Sequence, residues 1–167
     1  MNFQEIDLLK ADLNPFKMVG KDWCLITAGN EQGFNTMTAS WGGFGVMWNK
    51  NVVTIVIRPQ RKTLEFIDES GYFTLSFFEE KHRETLKFCG SHSGRDVDKV
   101  EVCGLTPFFL DGTTTFEQAS KVIVCKKLFA QKIDPKSFIE KSLLSNYPNE
   151  DYHIAFVGEI IKAVEVI

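Results

Sequence analysis

What the chain lacks narrows its function first. No apolar run approaches the roughly 20 residues that span a bilayer. The longest, such as Val52-Val53-Thr54-Ile55-Val56-Ile57, are far shorter, so no transmembrane segment is expected. Cationic excess is also missing: 19 Lys and Arg stand against 22 Asp and Glu, a net charge of −3 over 167 residues. That leaves no global positive field for a nucleic-acid backbone or an anionic membrane surface, so neither is expected as a partner. The cysteines Cys24, Cys89, Cys103 and Cys125 are never two residues apart and form no zinc-finger pattern with the histidines. Zinc fingers, dithiol motifs and other metal sites therefore have no support. P-loop, Rossmann, zincin and nucleophile-elbow motifs are all absent, which removes the usual handles of those chemistries. The opening MNFQEIDLL carries acidic residues where a secretory signal would carry Lys or Arg. With unpaired thiols, this makes a reducing cytoplasm the expected location.

What is present is a composition of 44% hydrophobic and 25% charged residues, enough apolar material for one domain, 1–167, with a real core. Aromatics are abundant, with 15 Phe, 3 Trp and 3 Tyr. They suit either a dense core or a site that packs flat rings.

The pattern is mostly strands. Cys24 to Ala28 and Asn35 to Ser40 flank a Gly29–Gly33 turn, a hairpin by spacing and turn chemistry. Val52 to Ile57 and Tyr72 to Phe77 read as further strands, and Phe116 to Ala130 and Tyr152 to Val166 as long ones. Short helices are expected over Leu64–Gly71, Glu79–Phe88 and Pro135 to about Asn146, with Asp96 as the cap of another. Gly42-Gly43-Phe44-Gly45 reads as a tight bend or bulge. This order predicts an α+β, mainly β fold with a barrel-like or strongly curved sheet.

Three polar stretches interrupt the apolar elements. Asn35-Thr36-Met37-Thr38-Ala39-Ser40-Trp41 sets small side chains and backbone beside an indole, which lets a flat ligand approach closely. Arg58-Pro59-Gln60-Arg61-Lys62-Thr63 gathers three cations and a hydroxyl where a helix begins, an arrangement that suits an anion. Ser91-His92-Ser93-Gly94-Arg95-Asp96-Val97-Asp98-Lys99 repeats the theme in a glycine-bearing loop. Taken singly, each also reads as ordinary surface, with Arg95 paired to Asp96 or Asp98. His153 alone reads as a structural strand histidine, and no Ser-His-Asp order stands out, so a catalytic side chain is not identified. An anion site beside a flat-ring platform, without a nucleophile, points to a cofactor that carries the chemistry.

These stretches, with Gly104-Leu105-Thr106 after the third and Gly158-Glu159 after His153, resemble the flavin reductase-like FMN-binding split-barrel family, which includes flavoredoxins. The resemblance runs from about Val19 onward. It implies a split β-barrel with a few short peripheral helices and a homodimer with FMN near the subunit interface. By position, Asn35, Thr38, Ala39, Ser40 and Trp41 would line the isoalloxazine and ribityl chain. Arg58, Arg61, Lys62 and Thr63 would hold the phosphate with Ser93, Arg95 and Lys99 close by, and His153 and Phe156 would complete the flavin pocket. The implied activity is FMN-dependent oxidation of NADH or NADPH. The alternatives are a flavoredoxin-like electron carrier fed by a redox protein, or a binding module for another anionic planar ligand. Departures from the family pattern at Lys62, Val100 and Trp48-Asn49-Lys50-Asn51 leave donor and acceptor open.

Overall fold

The computed structural model describes residues 2–167. Strand β1 (Phe3–Glu5) and a single turn, α1 (Pro15–Lys17), lead into the hairpin of β2 (Cys24–Asn30) and β3 (Gly33–Ala39). A second hairpin, β4 (Gly42–Met47) and β5 (Lys50–Ile57), precedes α2 (Thr63–Glu69) and β6 (Tyr72–Phe77). Helices α3 (Arg83–Ser91) and α4 (Lys99–Val102) come next, then the small hairpin of β7 (Pro107–Leu110) and β8 (Thr113–Phe116). The chain closes with β9 (Lys121–Lys132) and β10 (Ile154–Val166).

The main sheet is antiparallel in the order β3-β2-β6-β9-β10-β5-β4, with β1 added along β10. Its two end strands, β3 and β4, are neighbours in sequence, separated only by Ser40 and Trp41. Three Cα steps reach at most about 11 Å, so the sheet must curl until its edges face each other across a seam. The result is a split barrel.

One apolar cluster fills the barrel: Ile26, Ile55, Phe73, Ile123 and Phe156 are its large buried members. A second cluster lies outside it, where Leu86 and Cys89 of α3 and Phe116 of β8 cover Leu25, Val122 and Val124. Strand β2 is buried on both faces for this reason, with Ile26 turned to the first cluster and Leu25 to the second. The β7–β8 hairpin is tied down by buried hydroxyls: Thr74 donates to the Thr114 carbonyl at 2.6 Å, and the Ser76 and Thr115 hydroxyls hydrogen-bond each other at 2.8 Å. At Gly158, where the β9–β10 register shifts, a Cβ would lie 2.6 Å from the Phe73 ring, so any side chain there would have to displace it.

Several expectations are corrected. Gly42 to Met47 is a strand, not a bend, because Trp48 and Asn49 both take positive φ and turn it back onto β5. Phe116 ends β8 rather than starting the long strand, which begins at Lys121. The helix expected from Pro135 is two 3₁₀ segments, Pro135–Ser137 and Lys141–Asn146. There the side chains of Glu140, Ser145 and Asn146 bond nearby backbone and compete with α-helical pairing. The helix expected from Glu79 opens as a 3₁₀ turn, Glu80–His82, and continues as α3 to Ser91. Asp98, not Asp96, caps α4, accepting from the amides of Val100 and Glu101. Among the described residues no helix is long and apolar enough to cross a membrane.

Candidate functional site

Four segments converge beside the seam: the end of β3, the turn from β5 into α2, the loop after α3, and the approach to β10. Between them lies a cavity of about 360 Å³ whose wall includes Arg58, Arg61, Lys62, Thr63, Ser93 and Lys99. It shares Met37, Arg58 and Arg61 with a smaller recess of about 160 Å³ that is bounded by Ala39, Ser40, Trp41 and His153. A larger cavity of about 600 Å³ opens beyond Lys62 and Gly94, but there Glu31, Asp96 and Asp98 offset the cations. The smaller pair is the better anion site, because Asp151 is the one acid on its wall.

The cations in that pair are differently engaged. Arg58 is committed: it pairs with Asp151 at 2.5 Å, donates to the Asn146 carbonyl at 2.9 Å and lies over the Tyr147 ring. Gln60 donates to the same Asp151 oxygen at 2.7 Å. These bonds hold the Asp151 carboxyl below its usual range, Gln60 first and Arg58 second. Arg61 makes no side-chain hydrogen bond or ion pair among the described residues, and burial followed by repulsion from Arg58 lowers its pKa. Lys99 is only 4% exposed, and its ammonium donates to the carbonyls of Thr36 at 3.0 Å and Cys89 at 2.9 Å. Burial pulls its pKa down, with Arg61 adding to the effect. An ammonium has three donors, and the third has no protein acceptor among the described residues. Uncompensated cations in a semi-enclosed space favour a bound anion. Helix α2 is only seven residues long, so side chains rather than the helix end make the site.

The other end suits a flat ring. Trp41 is 47% exposed at the seam, and its indole lies 5.3 Å from the imidazole of His153. His153 is buried, with Nδ1 2.8 Å from the Tyr147 hydroxyl. Burial, then the charge of Arg58, lowers its pKa to about 4, so the ring is neutral at neutral pH.

The sequence and the fold have counterparts among known proteins. The sequence pattern of the family described as "Flavin reductase like domain" matches residues 18–165. The chain belongs to that family. Solved structures similar to this flavin reductase like domain include an FMN-binding domain of a flavin reductases-like enzyme from Shewanella baltica, with 23% identity and a TM-score of 0.69. That match covers 98% of this chain and 77% of the other. A flavoredoxin from Methanosarcina acetivorans gives 22% identity and a TM-score of 0.69 over 87% of this chain and 68% of its own. A flavoredoxin from Desulfovibrio vulgaris gives 21% and 0.67 over 98% and 77%. At these identities the likeness establishes the fold, a mainly β split barrel. Comparison with curated proteins gives no match.

Within this flavin reductase like domain, the structure brings Asn35, Arg61, Lys62, Thr63, Ser93 and Lys99 together on the wall of the larger of the two linked cavities. Thr38, Ala39, Ser40, Trp41 and His153 line the smaller one. Three residues depart from their expected places. Phe156 is fully buried in the barrel core and lines neither cavity. Arg58 reaches the wall but is held by Asp151. Arg95 pairs with Glu65 and donates to the Gln60 carbonyl, facing the outer cavity rather than either Asp96 or Asp98. Sequence reasoning missed Tyr147 and Asp151, because only the long-range partners His153 and Arg58 give them meaning.

Proposed function

We propose that the domain binds FMN in the linked cavities and works as an FMN-dependent oxidoreductase that takes hydride from NADH or NADPH. Arg61, Lys99 and the Thr63 and Ser93 hydroxyls would hold the phosphate, with Lys62 at its edge. Ala39, Ser40, Trp41 and His153 would flank the ring. The observation that carries this reading is that Arg61 and Lys99, which keep donors without a protein acceptor among the described residues, line a cavity continuous through Met37, Arg58 and Arg61 with an open, small-residue slot. Bound FMN supplies the two-electron chemistry. The chain's part is to hold the ring with one face open to a stacked nicotinamide, a geometry in which hydride transfer needs no acid or base. Backbone N–H groups around Ala39 to Trp41 are suited to stabilising negative charge on a reduced ring.

A homodimer belongs to the same reading. Val46, Met47 and Trp48 on the β4–β5 hairpin are exposed, and Phe129 stands 6.1 Å from Trp48, an apolar face beside the seam. Four free thiols fit a reducing cytoplasm.

The visible spectrum of freshly purified protein, with chromatography of what denaturation releases, tests the cofactor. Released FMN and direct oxidation of NADH or NADPH are expected. FMN without nicotinamide oxidation would leave the flavoredoxin-like carrier, fed by a redox protein. A colourless protein that takes up no added FMN would favour a binding module for another anionic planar ligand. Light scattering tests the dimer, for which twice 19.0 kDa is expected.

A further inference from the structure

The Tyr147–His153 pair lies behind the ring end of the slot and is not needed to bind an anion. Both residues are buried, at 7% exposure each, and the Tyr147 Oη and His153 Nδ1 are 2.8 Å apart. Such a pair has two possible proton arrangements. In one, the phenol donates to Nδ1 and the ring carries its proton on Nε2. In the other, Nδ1–H donates to the phenol oxygen, and the phenol proton must find a second acceptor.

The surroundings choose between them. The Tyr147 hydroxyl makes no other hydrogen bond among the described residues. Its ring is packed by Tyr152 at 4.8 Å, Phe138 at 6.1 Å and the Arg58 guanidinium at 5.1 Å, none of which offers it an acceptor. The second arrangement would leave a buried O–H donor unpaired, which is the costly state. The charged groups facing the imidazole are Arg58 and Arg61, which oppose its protonation, and Asp151, which favours it but is bound by Arg58 and Gln60. Burial and the two arginines prevail, so the ring is neutral and has one proton to place.

We infer that Tyr147 is a positioning residue that holds His153 as the Nε2–H tautomer, so that the recess beside Trp41 presents a neutral hydrogen-bond donor to a carbonyl oxygen of a planar ligand. A neutral donor differs in use from the cations at the phosphate end. It orients a carbonyl without adding a further positive charge, and it keeps that role across the neutral pH range. The inference rests on the proposed function only for the identity of the ligand; the tautomer is a property of the protein alone.

Nitrogen-15 NMR of the imidazole rings in the full chain reads the tautomer directly, with His153→Gln used to assign the signal among the three histidines. The Nε2–H pattern is expected, and Tyr147→Phe, which keeps the packed ring, should abolish the preference. FMN titration supplies the second readout. Tyr147→Phe should weaken binding about five- to tenfold. His153→Gln, whose amide N–H can occupy the Nε2 position, should retain more affinity than His153→Asn and be insensitive to a second Tyr147→Phe change. His153→Asn should bind weakly. A native Nδ1–H pattern, or a Tyr147→Phe variant with the native tautomer and native affinity, would overturn the inference. A native protein that binds no FMN would instead overturn the proposed function, and the tautomer spectrum alone would then decide this point.

Discussion

The Lys62 ammonium donates to the carbonyl oxygen of Gly94 at 3.0 Å, joining the start of α2 to the loop after α3 across the wall between two cavities. Gly94 also packs against Asn35, whose amide donates to the Thr63 hydroxyl at 2.7 Å. A Cβ on residue 94 would lie 2.0 Å from the Asn35 side-chain oxygen. Gly94→Ala should therefore rotate Asn35, release Thr63 and weaken FMN binding about tenfold while the fold persists. Circular dichroism and a flavin titration check both halves of that expectation.

Arg61 lines the site and makes no side-chain hydrogen bond or ion pair among the described residues, so its loss should be felt in ligand binding rather than in folding. Replacing Arg61 and Thr63 together by alanine removes charge-assisted bonds worth roughly 1.5–3 kcal/mol each, or about one to two decades of affinity apiece. An unchanged dissociation constant in an equilibrium titration would remove the phosphate-site assignment.

Acid should destabilise the protein in two stages. The folded His153 titrates near 4 and its ordinary value is 6.5, so within that window the unfolded chain binds the proton and the folded chain does not. Stability is full above the window, falls as pH drops through it and levels off below it. Asp151, held low by Gln60 and Arg58, contributes stability above its ordinary range that is lost as pH falls through its folded value. Thermal melts against pH should show both stages, and His153→Gln should flatten the first alone.

Gly158 packs directly against the Phe73 ring in the barrel core. Alanine there would drive a methyl group to 2.6 Å from Phe73 and 2.9 Å from the Cys125 Cβ. Overpacking of this kind costs about 1–3 kcal/mol, which denaturant melts would register as a lower midpoint with an unchanged slope.

The thiols should be slow to react. Burial pushes Cys24 and Cys89 up to about 12 and Cys125 higher still, while Cys103 is half-buried and raised less. A thiol reagent at neutral pH should label Cys103 first and the other three only on unfolding. Prompt labelling of Cys125 in the native state would contradict the packing of the barrel core.

The strand-rich pattern, the lack of a long apolar run and the three polar stretches are legible in the sequence, since period-two alternation, hydropathy and turn chemistry are local properties. The sequence also marked Arg58, Arg61, Lys62, Thr63, Ser93, Arg95 and Lys99 as one group through their family resemblance. Only the tertiary structure decided which of those cations remains free. Arg58 and Arg61 are three residues apart and chemically alike, yet Arg58 is neutralised by Asp151, 93 positions along the chain, and Arg61 is not. The same holds for Phe156, whose alternation leaves two faces open until the curled sheet turns one of them into the core. The strand at Gly42–Met47 was hidden because glycine carries no side-chain pattern, and its pairing comes from a turn at Trp48 and Asn49 that bears no usual turn sequence. Long-range partnership and sheet closure fix these outcomes, and neither is written in any local window of residues.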